Sequence, residues 1–167
     1  MTLLNVDGNI PWLKDVTPAE MQRIVDALYC VHHLFSSITD IDILLERILD
    51  ESKQVARAEA CSLLLYDPAA GDLHFHLVKG ETGDPQALKR EVRLAMNQGI
   101  AGASAATRRP VNVPDASRDP RFYREADAVT GFTTRSLLAV PLVDRDTLVG
   151  VVEVVNKVGG GAFTETD

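Results

Sequence analysis

The sequence predicts an α+β domain, and three patterns carry that reading. Apolar residues recur at helical spacing in the first third of the chain, at Met21, Ile24, Leu28, Val31, Phe35 and Ile38, and again at Ile41, Leu44, Leu45, Ile48, Leu49 and Val55. From Cys61 the pattern changes to apolar runs or strict alternation, in Cys61–Tyr66, in Leu73, Phe75 and Leu77, and in Ser136–Val143. Short turn signals, Asp67–Asp72 and Asp144–Asp146, separate neighbouring strand runs. Helices first and hairpin-joined strands after them fit an α+β chain rather than an alternating one.

Composition bounds the function. The 167 residues suffice for one domain with a real core, and 46% hydrophobic with 25% charged residues is globular. A net charge of −7 argues against non-specific nucleic-acid binding. There is no apolar run of membrane-spanning length and no signal peptide, so a cytoplasmic location is expected, with neither membrane nor nucleic acid as partner. Cys30 and Cys61 lie in a helix and a strand pattern, outside any Cys/His cluster, and read as core thiols.

Residues Met1–Val16 show no period and are taken as a tail (1–16). Thr17-Pro18-Ala19-Glu20 is a capping box that starts the first helix. Its apolar steps of 3, 4, 3, 4, 3 make a short heptad seam, and Val25 and Leu34 add a second strip. Either one strip packs on the domain while the other meets a partner helix, or both face one core. Thr39-Asp40-Ile41-Asp42 starts the second helix, closing an N-terminal helical region over 17–56. His74 and His76 alternate with the apolar residues of the second strand and give it a wet face; with no third ligand nearby they make no metal site. Lys79–Leu88 reads as a polar loop, and Val92, Leu94 and Met96 share one side of the next extended run.

Gly99-Ile100-Ala101-Gly102-Ala103 opens a helix of small residues. Free N–H groups at such a start suit an anion; the same small side chains also permit tight helix–sheet packing. Asp119-Pro120 reads as a helix start and Gly131 as its stop. Between them Tyr123, Asp127 and Thr130 fall on one face at i, i+4 and i+7, where a phenol, a carboxylate and a hydroxyl can grip a small polar ligand. A solvated helix face has the same spacing. Pro141, in Ser136–Val143, requires a bulge or an unpaired position. Glu153 stands among Val151, Val152, Val154 and Val155, where a carboxylate needs water or a partner. No Ser/His/Asp or carboxylate-pair arrangement marks a hydrolase.

Three stretches, GIAGASAATRRP, VNVPDASRDPRFYREADAVTGFTTRSLLAVPL and GVVEVVNKVGGGAF, together resemble a GAF domain. The resemblance is closest to the cyclic-nucleotide-binding GAF domains of phosphodiesterases and bacterial cyclases, and it covers roughly Cys61 to Asp167. It implies a GAF sensor core over 57–167, with a central antiparallel sheet of about six strands. Terminal helices lie on one face and a ligand pocket on the other. By position it implies pocket residues Ser62, Ile100, Ala101, Tyr123, Asp127, Thr130, Thr134 and Glu153. The cyclic phosphate would sit on the N–H groups of Ile100 and Ala101 near Tyr123, with base and ribose at the others. Asn156, Lys157, Phe163 and Asp167 follow the family's NKFDE spacing, in which Lys157 and Asp167 form a structural ion pair. Val78-Lys79 stands where some cGMP binders have Phe-Asp, which disfavours cGMP and leaves cAMP open.

The resulting expectation is a non-enzymatic regulatory sensor. It needs no cofactor, binds cAMP or cGMP, pairs as a homodimer through the N-terminal helix, and relays to an output domain after Asp167. A ligand-free dimerisation and relay module is the alternative. A methionine sulfoxide reductase of this fold would need more cysteines near the pocket, and a bilin photosensor an attachment cysteine between Ser62 and Asp167; neither is present. The chain stops where a last helix should begin, which suggests a fragment of a longer protein.

Overall fold

The computed structural model describes residues 16–37, 41–80, 84–164 and 166–167. Helix α1 (Pro18–Ser37) starts at the capping box. Thr17 N donates to Glu20 Oε2 at 2.8 Å and Glu20 N to Thr17 Oγ1 at 3.3 Å. Helix α1 packs on α2 (Ile41–Val55). This packing divides the expected seam: Met21, Ile24 and Val31 are half-buried, whereas Leu28 is 65% exposed beside Val25 at 49%. The α-helical period of 3.6 carries Leu28 off the stripe that meets α2. The tail residues 1–15, the expected cap Thr39 and the side chains of Phe35 and Ile38 lie outside the described residues. Helix α2 lies on β1 (Ala58–Asp67) and β2 (Asp72–Gly80). Leu44 and Leu49 are buried, while Ile41, expected on the same stripe, is 70% exposed in the first turn.

The remaining strands are β3 (Arg93–Ala95), β4 (Val111–Val113), β5 (Leu137–Asp144) and β6 (Thr147–Lys157). They complete a six-stranded antiparallel sheet in the order β3-β2-β1-β6-β5-β4. The central pair, β1 and β6, sets Ser62 opposite Glu153. Gly150 is required there: a Cβ would lie 2.1 Å from the Leu64 carbonyl oxygen. Pro141 sits one residue before the bulge at Leu142/Val143, on a stretch of β5 that β4 does not reach. Two cores result. Leu49, Leu63, Leu77 and Phe163 pack on the α2 face. Leu64, Leu73, Phe75, Ile100 and Val151 pack on the opposite face, under α4 (Gly99–Thr107).

One loop expectation and one helix-start expectation are corrected. Lys79–Leu88 is not all loop: α3 (Pro85–Glu91) begins inside it, with Asp84 accepting from Gln86 N (3.0 Å) and Ala87 N (3.2 Å) and Pro85 in the first turn. Conversely, Asp119-Pro120 starts no helix. Arg121 takes both Asp119 oxygens through its guanidinium (2.9 and 2.6 Å), and its own N–H bonds Oδ1 at 2.9 Å. That closed local turn competes with a helical cap. Helix α5 runs only over Arg124–Thr130 and ends at Gly131 with φ +72°.

Candidate functional site

The pocket face of the sheet carries a cavity with an atom-free volume of about 790 Å³, mouth included, of which about 100 Å³ admits the centre of a water molecule. Its floor is Ser62 on β1 and Glu153 and Val155 on β6. One wall is the start of α4 at Gly99 and Ile100; the rim is Asp84-Pro85, Phe122, Tyr123 and the inner side of α5 through Thr134. Seven of the eight residues named from the sequence therefore line one space. Ala101 lies behind the wall, fully buried, and its N–H bonds the Glu153 carboxyl.

Glu153 dominates the electrostatics. It is 7% exposed, and Ser62 Oγ donates to its Oε2 at 3.3 Å. Burial pushes its carboxyl up to about 7, opposed by the hydrogen bonds from Ser62 and Ala101. The Ala101 N–H is free to bond it because the first turn of α4 lacks intrahelical acceptors. Gln98, which precedes the helix, makes no side-chain cap and instead accepts from Ala95 N at 3.0 Å. No lysine, arginine or histidine lines the cavity among the described residues.

The polar groups expected to share one helix face are deployed differently. Tyr123 stands before α5, not within it, and its phenol is held above its ordinary value by a hydrogen bond to Glu125. Asp127 accepts from Thr134 N (2.8 Å) and Thr134 Oγ1 (2.7 Å). Thr130 Oγ1 donates back to the Ala126 carbonyl at 2.9 Å. These three close the rim on itself rather than pointing three free groups at one guest. Lys79 is on the other face: Nζ pairs with Glu46 (3.0 Å) and Asp50 (3.6 Å) of α2, while Val78 alone meets the cavity. The lysine therefore carries no argument against a guanine.

Below the pocket, Asn156 is 1% exposed at φ +58°. Its Oδ1 accepts from Arg135 N at 2.6 Å and its Nδ2 donates to the Thr133 carbonyl at 2.9 Å. Lys157 Nζ bonds the Asp167 carboxylate and lies 5.5 Å from the Phe163 ring centre. Burial pushes the Asp167 carboxyl up, but Lys157 and the Thr164 donors more than offset it and hold the group below its ordinary value. Cys61, beside Ser62, has its thiol pushed up to about 12 by burial, which makes it a poor nucleophile. No group of three or more potential metal ligands occurs among the described residues. The rim residues that sequence reasoning passed over are Asp84-Pro85, Phe122 and Phe132; the Asp-Pro pair was the available signal for the first two.

Comparison with known proteins follows the same lines. The family described as GAF domain matches residues 40–167. The chain is 31% identical over 140 residues to the "Probable 3',5'-cyclic phosphodiesterase pde-5" of Caenorhabditis elegans, covering 80% of this chain and 19% of that protein. It is 40% identical over 94 residues to the "Dual 3',5'-cyclic-AMP and -GMP phosphodiesterase 11" of Drosophila melanogaster, covering 56% and 6%. The chain thus spans less than a fifth of each of these relatives. Among solved structures, the GAF domain of a phosphoenolpyruvate-protein phosphotransferase from Coxiella burnetii superimposes with a TM-score of 0.74 at 17% identity, over 87% of this chain and 83% of that one. The free methionine-R-sulfoxide reductase of Neisseria meningitidis does so at 0.71 and 19%, over 92% and 83%. At such identities the likeness is one of fold.

Proposed function

This chain belongs to the GAF domain family, and on that premise we propose that it is the regulatory small-molecule sensor of a larger cytoplasmic signalling protein. Its ligand is a cyclic purine nucleotide, cAMP or cGMP, and its output domain follows Asp167. The observation that carries the reading is the gathering of Ser62, Ile100, Tyr123, Asp127, Thr130, Thr134 and Glu153 around one cavity. An apolar space with a few placed polar groups suits a flat heterocycle. The phosphodiesterase relatives support a cyclic nucleotide as the guest. Isothermal calorimetry on the full chain with each nucleotide at about pH 6, with a parallel thermal-shift measurement, tests it. Millimolar nucleotide that gives neither heat nor a rise in melting temperature rejects the reading.

A second reading, a ligand-free dimerisation and relay module, draws on two observations. The rim groups Asp127, Thr134 and Thr130 bond one another or the backbone, and α1 presents Val25 and Leu28 to solvent. In either reading α1 joins two copies. Light scattering of the chain and of Leu28→Glu tests this: a dimer that the substitution dissociates is expected, and a monomeric parent chain rejects it.

A further inference from the structure

We propose that Glu153 and the anionic group of the ligand are alternative occupants of one negative-charge site at the start of α4, so that an anion enters this cavity only together with a proton on Glu153. The inference rests on the cyclic-nucleotide reading above and adds to it how the site is regulated.

The argument is one of place. The free N–H groups of the first α4 turn are the natural seat for a phosphate in this cavity. In the structure the Glu153 carboxyl already holds one of these donors, the Ala101 N–H, and its Oε2 accepts from Ser62 Oγ at 3.3 Å. The groups facing it leave nothing to neutralise a second negative charge. Register sets Ser62 opposite it on β1 and Ala139 on β5. The Cys61 thiol on β1 is electrostatically coupled to it. Helix α4 offers Gly99, Ile100 and the N–H of Ala101; β2 offers Phe75 and Val78; the rim offers Tyr123, Asp84 and Asp127. The ionisable members of that set are acids, a phenol and a thiol. Two anions on one set of N–H donors in a desolvated pocket repel strongly.

Protonation resolves the conflict. One proton from solvent converts the carboxylate to a neutral acid. The Ala101 N–H is released to the phosphate oxygens, and the new O–H donates to Ser62 Oγ or to the phosphate. The charge in the pocket stays at one before and after. Because burial already brings this carboxyl near neutrality, the exchange falls within the physiological range.

The test is calorimetry on the full chain with cAMP, cGMP and uncharged adenosine from about pH 5.5 to about pH 9, in buffers of different ionisation enthalpy. For a cyclic nucleotide, affinity should be flat below about pH 6 and fall about tenfold per pH unit above about pH 8. Uptake should approach about one proton per ligand at the alkaline end. Adenosine should bind independently of pH. Glu153→Gln keeps an acceptor for Ser62 and Ala101 and should abolish both the slope and the uptake; the wild-type arms stand without it should the variant not fold. Nucleotide binding that is flat with pH, uptake that survives in Glu153→Gln, or adenosine sharing the slope overturns the inference while leaving the cyclic-nucleotide reading intact. No binding of either nucleotide at any pH rejects that reading and this inference together.

Discussion

Thr134 hands both its backbone N–H and its hydroxyl to Asp127, at 2.8 and 2.7 Å, one to each carboxylate oxygen. Asn156 grips the same segment from the other side, through Arg135 N and the Thr133 carbonyl. The inner lip of the cavity is thus clamped between α5 and the end of β6, and Asp127 is a building element of the rim before it is anything to a ligand.

Asp127→Ala should therefore act on stability. It strands two donors in a partly buried place and should cost about 1–3 kcal/mol. Asp127→Asn, which keeps one acceptor oxygen, should cost less. Melting temperatures of the two variants check this. An unchanged melting temperature with weakened nucleotide binding would instead place the carboxylate on the ligand.

The Glu153 carboxyl sets a pH dependence of stability without any ligand. Its folded-state value, about 7, lies above the ordinary 4.5. Folding therefore takes up a proton between those values. The stabilisation is complete below about pH 4.5, declines as pH rises, and is lost above about pH 7, for a total of about 3 kcal/mol. Urea unfolding against pH should show this decline, and Glu153→Gln should not. Parallel curves for the two proteins would show that Glu153 titrates as an ordinary carboxylate.

Two glycines separate space from backbone strain. At Gly150 a Cβ meets the Leu64 carbonyl at 2.1 Å, so Gly150→Ala must part β1 from β6 and should cost about 3 kcal/mol or more. At Gly131 nothing lies within 4 Å and only φ +72° resists a side chain. Gly131→Ala should cost about 1–2 kcal/mol. Denaturant midpoints rank the pair; equal costs would contradict the register at Leu64.

The Lys157–Asp167 pair is more sheltered than a surface pair, with side chains 17% and 7% exposed. Removing one partner leaves the other partly buried and uncompensated, so Lys157→Met or Asp167→Ala should cost about 2–3 kcal/mol, between the surface and fully buried limits. The double variant should cost little more than either. Because the Asp167 carboxyl is held below its ordinary value, this contribution is present at neutral pH and is lost as pH falls through that lowered value. A double-mutant cycle by denaturation gives the coupling, and additive costs would rule it out.

The fold was legible where a segment's own pattern decides its structure. The capping box at Thr17 and the Gly131 stop act within a few residues, whereas the alternation of Leu73, Phe75 and Leu77 breaks at the β1–β2 bulge, which sends Leu77 to the α2 face. Two Asp-Pro pairs mark the limit. Asp84-Pro85 starts a helix and Asp119-Pro120 does not, and the difference is Arg121, which takes both oxygens of Asp119. Orientation failed for another reason: the pleat turns the strand neighbours Val78 and Lys79 to opposite faces, and only the folded sheet, with the acids of α2 beside the ammonium, sets which of those faces is the cavity's. In the site, spacing placed Tyr123, Asp127 and Thr130 near one another, yet their hydrogen-bond partners, Glu125, Thr134 and Ala126, come from the folded rim. Glu153 stood out in the sequence as a carboxylate among valines; its partner Ser62 is 91 residues away and is set only by register.

Helix α5 buries none of its residues, whereas the floor beneath it belongs to the two central strands of the sheet. The two halves of the cavity thus differ in how they let go of their amide hydrogens. Those of β1 and β6 should exchange with solvent only when the whole domain unfolds, while those of α5 should exchange through small local openings that leave the sheet intact. On the proposed reading, a guest held between them should slow exchange at the roof far more than at the floor, a change in local order at the surface over an unchanged base.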